Sequence, residues 1–329
     1  MRKAVPAGGR TPTILCSLPL FFLSVGQHLC GQTTAQPGSA TISVDVDLVV
    51  LQATVSDKTG GFVSGLQKEN FRVFEDGVPQ EIRVFQHEDV PVAVGLIVDN
   101  SGSMSPKRKD VTAAALAFAR SSNPRDQMFV VNFNEHVSFG LPNTELFSAS
   151  ASELDHALNG VPANGKTALY DAIDAGLAHL KKATLDKKVL IVISDGGDNA
   201  SHHTLRQVLE SAGKSTAIIY TIGLFNQYDE DRNPGVLRKI ARATGGEAFL
   251  PGETGQVVQI CERIAEDIRN QYTVGYVPSN AKLDSSYRTI RVTATGRRGE
   301  KLLVRTRAGY IASPERNGPS TSSVQGKLR

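Results

Sequence analysis

Four uninterrupted apolar runs constrain this chain most: VAVGLIVD (92–99), QMFVVNF (127–133), KVLIVIS (188–194) and TAIIYTIG (216–223). A strand with one wet face alternates apolar and polar residues. A strand covered on both faces reads as a continuous apolar run, as parallel strands under helices do. Helical patterns fall between and after these runs, over 107–120, 168–181, 204–212, 236–244 and 257–269. The second carries Leu169, Ile173, Gly176, Leu177 and Leu180 at helical spacing, and Gly245-Gly246 is a stop signal after the fourth of these. Strands alternating with helices predict an α/β fold over 91–270, a doubly wound, mostly parallel sheet flanked by helices.

Both flanks read as β. In ISVDVDLVVLQATV (42–55) the alternation places Val44, Val46, Leu48 and Val50 on one apolar face. NFRVFEDG and QEIRVFQ follow, with Asp76-Gly77-Val78-Pro79 between them as a hairpin signal. Beyond the α/β region QYTVGYVP, YRTIRVTATG and EKLLVRTR read as three strands, with Ile290, Val292 and Ala294 on one face. Each flank alone is too small for a stable core. The expectation is one β-sandwich made of 41–90 and 271–312, with the α/β domain inserted. Two separate hairpins docked on the helices are the alternative. The polar stretch 313–329 is expected to be disordered.

The first 35 residues form a class of their own. Arg2, Lys3 and Arg10 precede the short apolar run ILCSLPLFFLSVG (14–26). This is the pattern of a secretory signal peptide, with small residues for cleavage at Thr33-Thr34-Ala35. It predicts a secreted or periplasmic protein with no transmembrane span once the leader is removed. Three of the 36 basic residues and none of the 33 acidic ones lie in that leader, so the remainder balances at 33 against 33. Such a surface has no basic excess to draw nucleic acid. Cys16 and Cys30 lie in or beside the leader, which leaves Cys261 alone on a helical stretch as a buried, inert thiol.

GVPANGKT (160–167) fits the spacing of a phosphate-binding P-loop. A P-loop follows a buried strand, however, and SASELDHALN (150–159) is an amphipathic helix pattern with Leu154 and Leu158 four apart. A different chemistry suits the neighbouring residues better. The first apolar run ends in Asp99-Asn100-Ser101-Gly102-Ser103, the third delivers Asp195, and Thr167 opens a helix on a loop that arrives at the same sheet edge. Ligands of α/β sheets bind at the carboxyl ends of the strands. Two carboxylates and three hydroxyls are hard oxygen donors, suited to magnesium and its like. Helix capping by Asp and Ser is the plain alternative for DNSGS taken alone.

DNSGSM, GKTALYDAI and VLIVISDGGDN resemble the three loops of a von Willebrand factor type A (VWA) domain with an intact metal-ion-dependent adhesion site (MIDAS). The family pattern D-x-S-x-S, a distant T and a distant D maps onto Asp99, Ser101, Ser103, Thr167 and Asp195. The flanking VDLVVLQATVSDKTGGFVSGL, FRVFEDGVPQEI, RNQYTVGY and YRTIRV resemble a bacterial exported group of such proteins, which implies an immunoglobulin-like sandwich. Lys166 departs from the small residue frequent beside the threonine.

The resemblance implies a non-enzymatic adhesion or assembly module. It would bind Mg2+, with Mn2+ or Ca2+ as alternatives, and through it a carboxylate of a protein partner. Two other readings are a nucleotide-binding protein or metal-dependent hydrolase built on GVPANGKT, and a structural scaffold whose site takes no metal. Asp198 and His202 have the i, i+4 spacing of zinc ligands but lack a third. Ser201 reads as a helix cap with His202 and His203 in the first turn, which makes both surface histidines.

Overall fold

The first strand is paired on both edges, and its polar residues fix which of its faces is buried. The computed structural model describes residues 48–225 and 232–313. The expected leader, Val44, Val46 and all of the expected tail except Ser313 lie outside the described residues. Strand β1 (Val49–Ser56) buries Val49, Leu51, Ala53 and Val55. This corrects the expected face, since Leu48 and Val50 are only half-buried. Residues 48–51 are all apolar, so alternation there permits either parity, and Gln52 and Ser56 settle it by placing polar groups on the even face.

Strands β2 (Phe71–Glu75), β3 (Val78–Gln80) and β4 (Ile82–Gln86) follow. Here too the structure corrects the expectation. The hairpin partner of β2 is β3, closed by Asp76 and Gly77 alone, with Glu75 paired to Val78. Both turn residues have positive φ, 48° and 81°, the geometry for which Asp-Gly is favoured. Strand β4 instead joins a different sheet.

The α/β region runs β5 (Ala93–Asp99), α1 (Arg108–Ser121), β6 (Gln127–Phe133), β7 (Val137–Phe139), α2 (Ala151–Asn159), α3 (Leu169–Leu180), β8 (Lys188–Ser194), α4 (Leu205–Lys214), β9 (Ile218–Gly223), α5 (Pro234–Thr244), β10 (Ala248–Phe249) and α6 (Val257–Arg269). Its sheet has the order β10-β9-β8-β5-β6-β7. All neighbours are parallel except β6 and β7. Every residue of the central β5 is buried, as its continuous apolar character requires. The expected mostly parallel, helix-flanked sheet is the observed architecture. Gly245, at φ 82°, ends α5. The segment before GVPANGKT is helix α2, which buries Leu154 and Leu158, so the strand that a P-loop needs is absent there.

Strands β11 (Tyr272–Tyr276), β12 (Tyr287–Ala294), β13 (Leu303–Arg305) and β14 (Gly309–Ile311) complete the described chain. EKLLVRTR thus gives way after Arg305, and a fourth strand follows it. Strands from before and after the α/β region interleave in two sheets, β13-β1-β11-β4 and β14-β12-β2-β3. One core lies between them, with Leu51, Phe71, Val73, Tyr272, Val274 and Val292 among its members. A buried charge cluster braces it. Glu75 accepts hydrogen bonds from the Tyr276 hydroxyl (2.7 Å), the Tyr310 hydroxyl (2.8 Å) and Arg288 Nη1 (3.2 Å).

The two cores meet at α6. Asp267, 1% exposed, accepts from Thr54 Oγ1 on β1 (2.6 Å), from the Tyr220 hydroxyl on β9 (2.9 Å) and from the guanidinium of Arg305 on β13. A buried carboxylate with three donors on three elements is well satisfied, and the loss of any one donor would be felt.

Candidate metal centre

Strands β5 and β8 are hydrogen-bonded neighbours in parallel register, with Val98 opposite Ile193. Their carboxyl ends therefore deliver Asp99 and Asp195 to one edge. Asp99 Oδ1 accepts the Ser101 N–H (2.8 Å), folding the chain back in a tight turn. Asp99 Oδ2 accepts the Ser194 hydroxyl (2.6 Å). The Ser101 and Ser103 hydroxyls lie 3.1 Å apart, and Ser103 Oγ donates to Asp195 Oδ2 at 2.5 Å. Asp99, Ser101, Ser103 and Asp195 thus join in one run of short polar contacts.

Thr167 is brought in through the backbone. Gly102 N–H donates to Gly165 O (3.1 Å) and Asn164 N–H to Asn100 O (2.9 Å), which ties its loop to the first one. Thr167 N–H donates to Asn199 Oδ1 (2.9 Å), while the N–H groups of Asn199 and Ala200 both donate to Thr167 O (3.0 Å). Asp99, Ser101, Thr167 and Asp195 are buried, and Ser103 is exposed at the rim.

Burial pushes the Asp99 carboxyl up to about 6; the nearby Asp195 carboxylate adds to this, and the Ser194 and Ser101 donors oppose it. Two carboxylates crowded in a buried site with neutral hydroxyls beside them make a place that a divalent cation relieves. The set is all oxygen, which fits Mg2+, Mn2+ or Ca2+. Among the described residues no group of three or more His, Cys, Asp or Glu could hold a metal ion, so the hydroxyls are essential to any such site.

Two supports were not singled out from the sequence. Ser194, a polar residue ending an apolar strand, holds Asp99. Asn199 holds Thr167. The first carries a visible signal, a hydroxyl interrupting an otherwise apolar run, whereas the second is one more polar residue in a loop.

The expectation for Ser201 is corrected. Thr204 caps α4, accepting the Gln207 N–H (3.4 Å). Ser201 Oγ instead accepts the N–H groups of Tyr170 and Asp171, both at 3.1 Å, at the start of α3. His202 and His203 therefore precede α4, and their ring Nδ1 atoms face Asp171 at 3.1 and 2.7 Å. Burial pushes the Asp171 carboxyl upward, but the backbone and ring donors of the two histidines outweigh it and hold it well below the usual range. His202 faces Asp171 and not Asp198. The Lys166 side chain is exposed, and its main-chain N–H is held by Glu135 Oε2 (2.6 Å). Cys261 is free and buried, and burial pushes its thiol up to about 12, which makes it unreactive.

Residues 94–197 match the sequence profile of the von Willebrand factor type A domain, an interval that contains all five oxygen-bearing residues. Comparison with curated proteins gives no match. Solved structures of similar fold include a von Willebrand factor type A protein from Catenulispora acidiphila, 15% identical over 82% of this chain and 74% of that one, TM-score 0.44. The von Willebrand domain of the type V pili tip protein Mfa5 from Porphyromonas gingivalis is 13% identical over 55% and 95%, TM-score 0.47. Proximal thread matrix protein 1 from the mussel byssus, with a zinc-occupied MIDAS motif, is 17% identical over 58% and 48%, TM-score 0.49. The matched profile falls on β5, β6, β7 and β8 of the sheet and on the loops that gather Asp99, Ser101, Ser103, Thr167 and Asp195, so it is over residues 94–197 that this chain is similar to a von Willebrand factor type A domain.

Proposed function

We propose that this protein is an exported binding module that holds a divalent cation, Mg2+ in the first instance, between Asp99, Ser101, Ser103, Thr167 and Asp195. Its ligand is a protein offering a carboxylate. One observation carries the reading: Ser103 bridges to Asp195 at 2.5 Å and to Ser101 at 3.1 Å, so oxygens of two separate loops meet at one point. A bound cation supplies a positive, oxygen-seeking centre. The chain's own residues give it two carboxylates and three neutral hydroxyls, so the protein does not over-neutralise it. Ser103 is exposed, which leaves that side of the site open to a partner. The leader motif supports export to the periplasm or the outside. Among the described residues no helix is long and apolar enough to cross a membrane.

Isothermal titration of the full chain with Mg2+, Mn2+ and Ca2+, wild type against Asp99→Ala, tests the reading. Saturable binding in the wild type that is lost in the variant is expected. No binding of any of the three ions to the wild type would leave a scaffold without a metal site.

A further inference from the structure

A fourth segment touches the loop that carries Thr167. The turn between β6 and β7 lies against it at three points. Ala168 N–H donates to Asn134 O (2.7 Å), Asn134 Nδ2 donates to Asn164 Oδ1 (3.2 Å), and Lys166 N–H donates to Glu135 Oε2 (2.6 Å). Gly165 lies beneath the Glu135 carboxylate. Its φ is +78°, and a Cβ built there would fall 1.8 Å from Glu135 Oε2. The carboxylate thus occupies the bare face of the glycine and reaches across it to the amide that precedes Thr167.

The same loop is also held through Gly102 N–H on Gly165 O and Asn164 N–H on Asn100 O, and Thr167 itself through Asn199 and Ala200. Glu135 is the side chain that accepts the amide N–H directly before Thr167. Glu135 itself is exposed and fills no core. A three-residue turn between short antiparallel strands does not call for a carboxylate, so its placement over Gly165 needs a reason beyond the turn.

We infer that Glu135 is a positioning residue for the metal centre, holding the Lys166 amide across Gly165 so that the Thr167 loop is set against the other two loops before an ion arrives. This rests on the metal reading proposed above. Groups that orient metal ligands typically change affinity about 10–100-fold when removed. Glu135→Ala should therefore weaken Mg2+ binding by about tenfold or more. Glu135→Gln keeps an acceptor oxygen and should restore most of that loss.

The experiment is Mg2+ titration of the full-length wild type, Glu135→Ala and Glu135→Gln, with melting curves and amide hydrogen exchange of the metal-free proteins. Expected are near-equal melting temperatures, faster exchange at Lys166 and Thr167 in the alanine variant alone, and the affinity order wild type, Gln, Ala. An alanine variant that binds Mg2+ as the wild type does overturns this inference and leaves the metal reading standing. Equal losses in Ala and Gln also overturn it, because they assign the effect to charge and not to the held amide. A wild type that binds no Mg2+ overturns the metal reading and this inference with it.

Discussion

Ser194 Oγ donates a 2.6 Å hydrogen bond to Asp99 Oδ2, which ties the last residue of β8 to the last residue of β5. The same hydroxyl accepts the Gly196 N–H at 3.0 Å, so it also shapes the loop that carries Asp195. Ser194→Ala removes both. Mg2+ affinity should fall about tenfold, as for other groups that orient metal ligands, and unfolding stability by ~1–2 kcal/mol. Titration calorimetry and urea unfolding read the two effects separately. Unchanged affinity would show that Asp99 is held well enough by Ser101 alone.

Lys187 gives the pH dependence of stability a defined sign. Burial lowers its ammonium from 10.5 to about 8, with Asp267, Asp89 and Asp126 opposing the shift. Between these values the unfolded chain keeps the proton and the native chain releases it, so stability from this group rises with pH from about 8 to 10.5. Below that window the full cost is present, on the order of 3 kcal/mol. Lys187→Met should be the more stable protein at pH 7, and its advantage should shrink as pH approaches 10. Urea midpoints at pH 7, 8.5 and 10 check this; a constant difference between the two proteins would contradict it.

Asp267 joins α6 to β1, β9 and β13. Asp267→Ala leaves the Arg305 guanidinium and two hydroxyls without their shared acceptor. Removing one partner of a buried ion pair typically costs ~3–5 kcal/mol. Chemical denaturation should show a loss of that size. A loss below ~1 kcal/mol would mean that Glu247, 3.4 Å from Arg305, takes over the pairing.

Removal of residues 271–329 strips β1 of both its neighbours, β11 and β13, and takes β12 from β2. Residues 48–86 should then be open to protease, while a resistant fragment begins near Val92. Mass spectrometry of a limited digest identifies the fragment. Protection of 48–86 in the truncated chain would show that those strands find support on the helices.

The parts of this fold that were legible in the sequence are those where burial leaves no choice. A strand covered on both faces has no alternation to misread, and β5, β6, β8 and β9 fell where the apolar runs are. The pattern for α6 matched at both ends. Misreadings arose where two solutions share one pattern. Consecutive apolar residues 48–51 fit either face of β1, and Asp76-Gly77 could close a two-residue hairpin as well as the longer turn expected. In the candidate site the oxygen-bearing residues were visible because each ends or follows a recognisable element. Their supports were not. Glu135 and Lys166 are 31 residues apart, and nothing local in either marks them as partners.

Gln86 on β4 is paired with Thr273 on β11, so the chain leaves one sheet for the whole α/β excursion and returns to the neighbouring rung. This has a mechanical consequence. Tension drawn along the backbone between residues 48 and 313 must first separate β4 from β11 before it can pull the two ends of the excursion apart. The loops that carry Asp99 and Asp195 at the carboxyl ends of β5 and β8 lie off that load path. Strain along the chain would leave the contacts around Asp99 and Asp195 undisturbed until the β4–β11 ladder gave way.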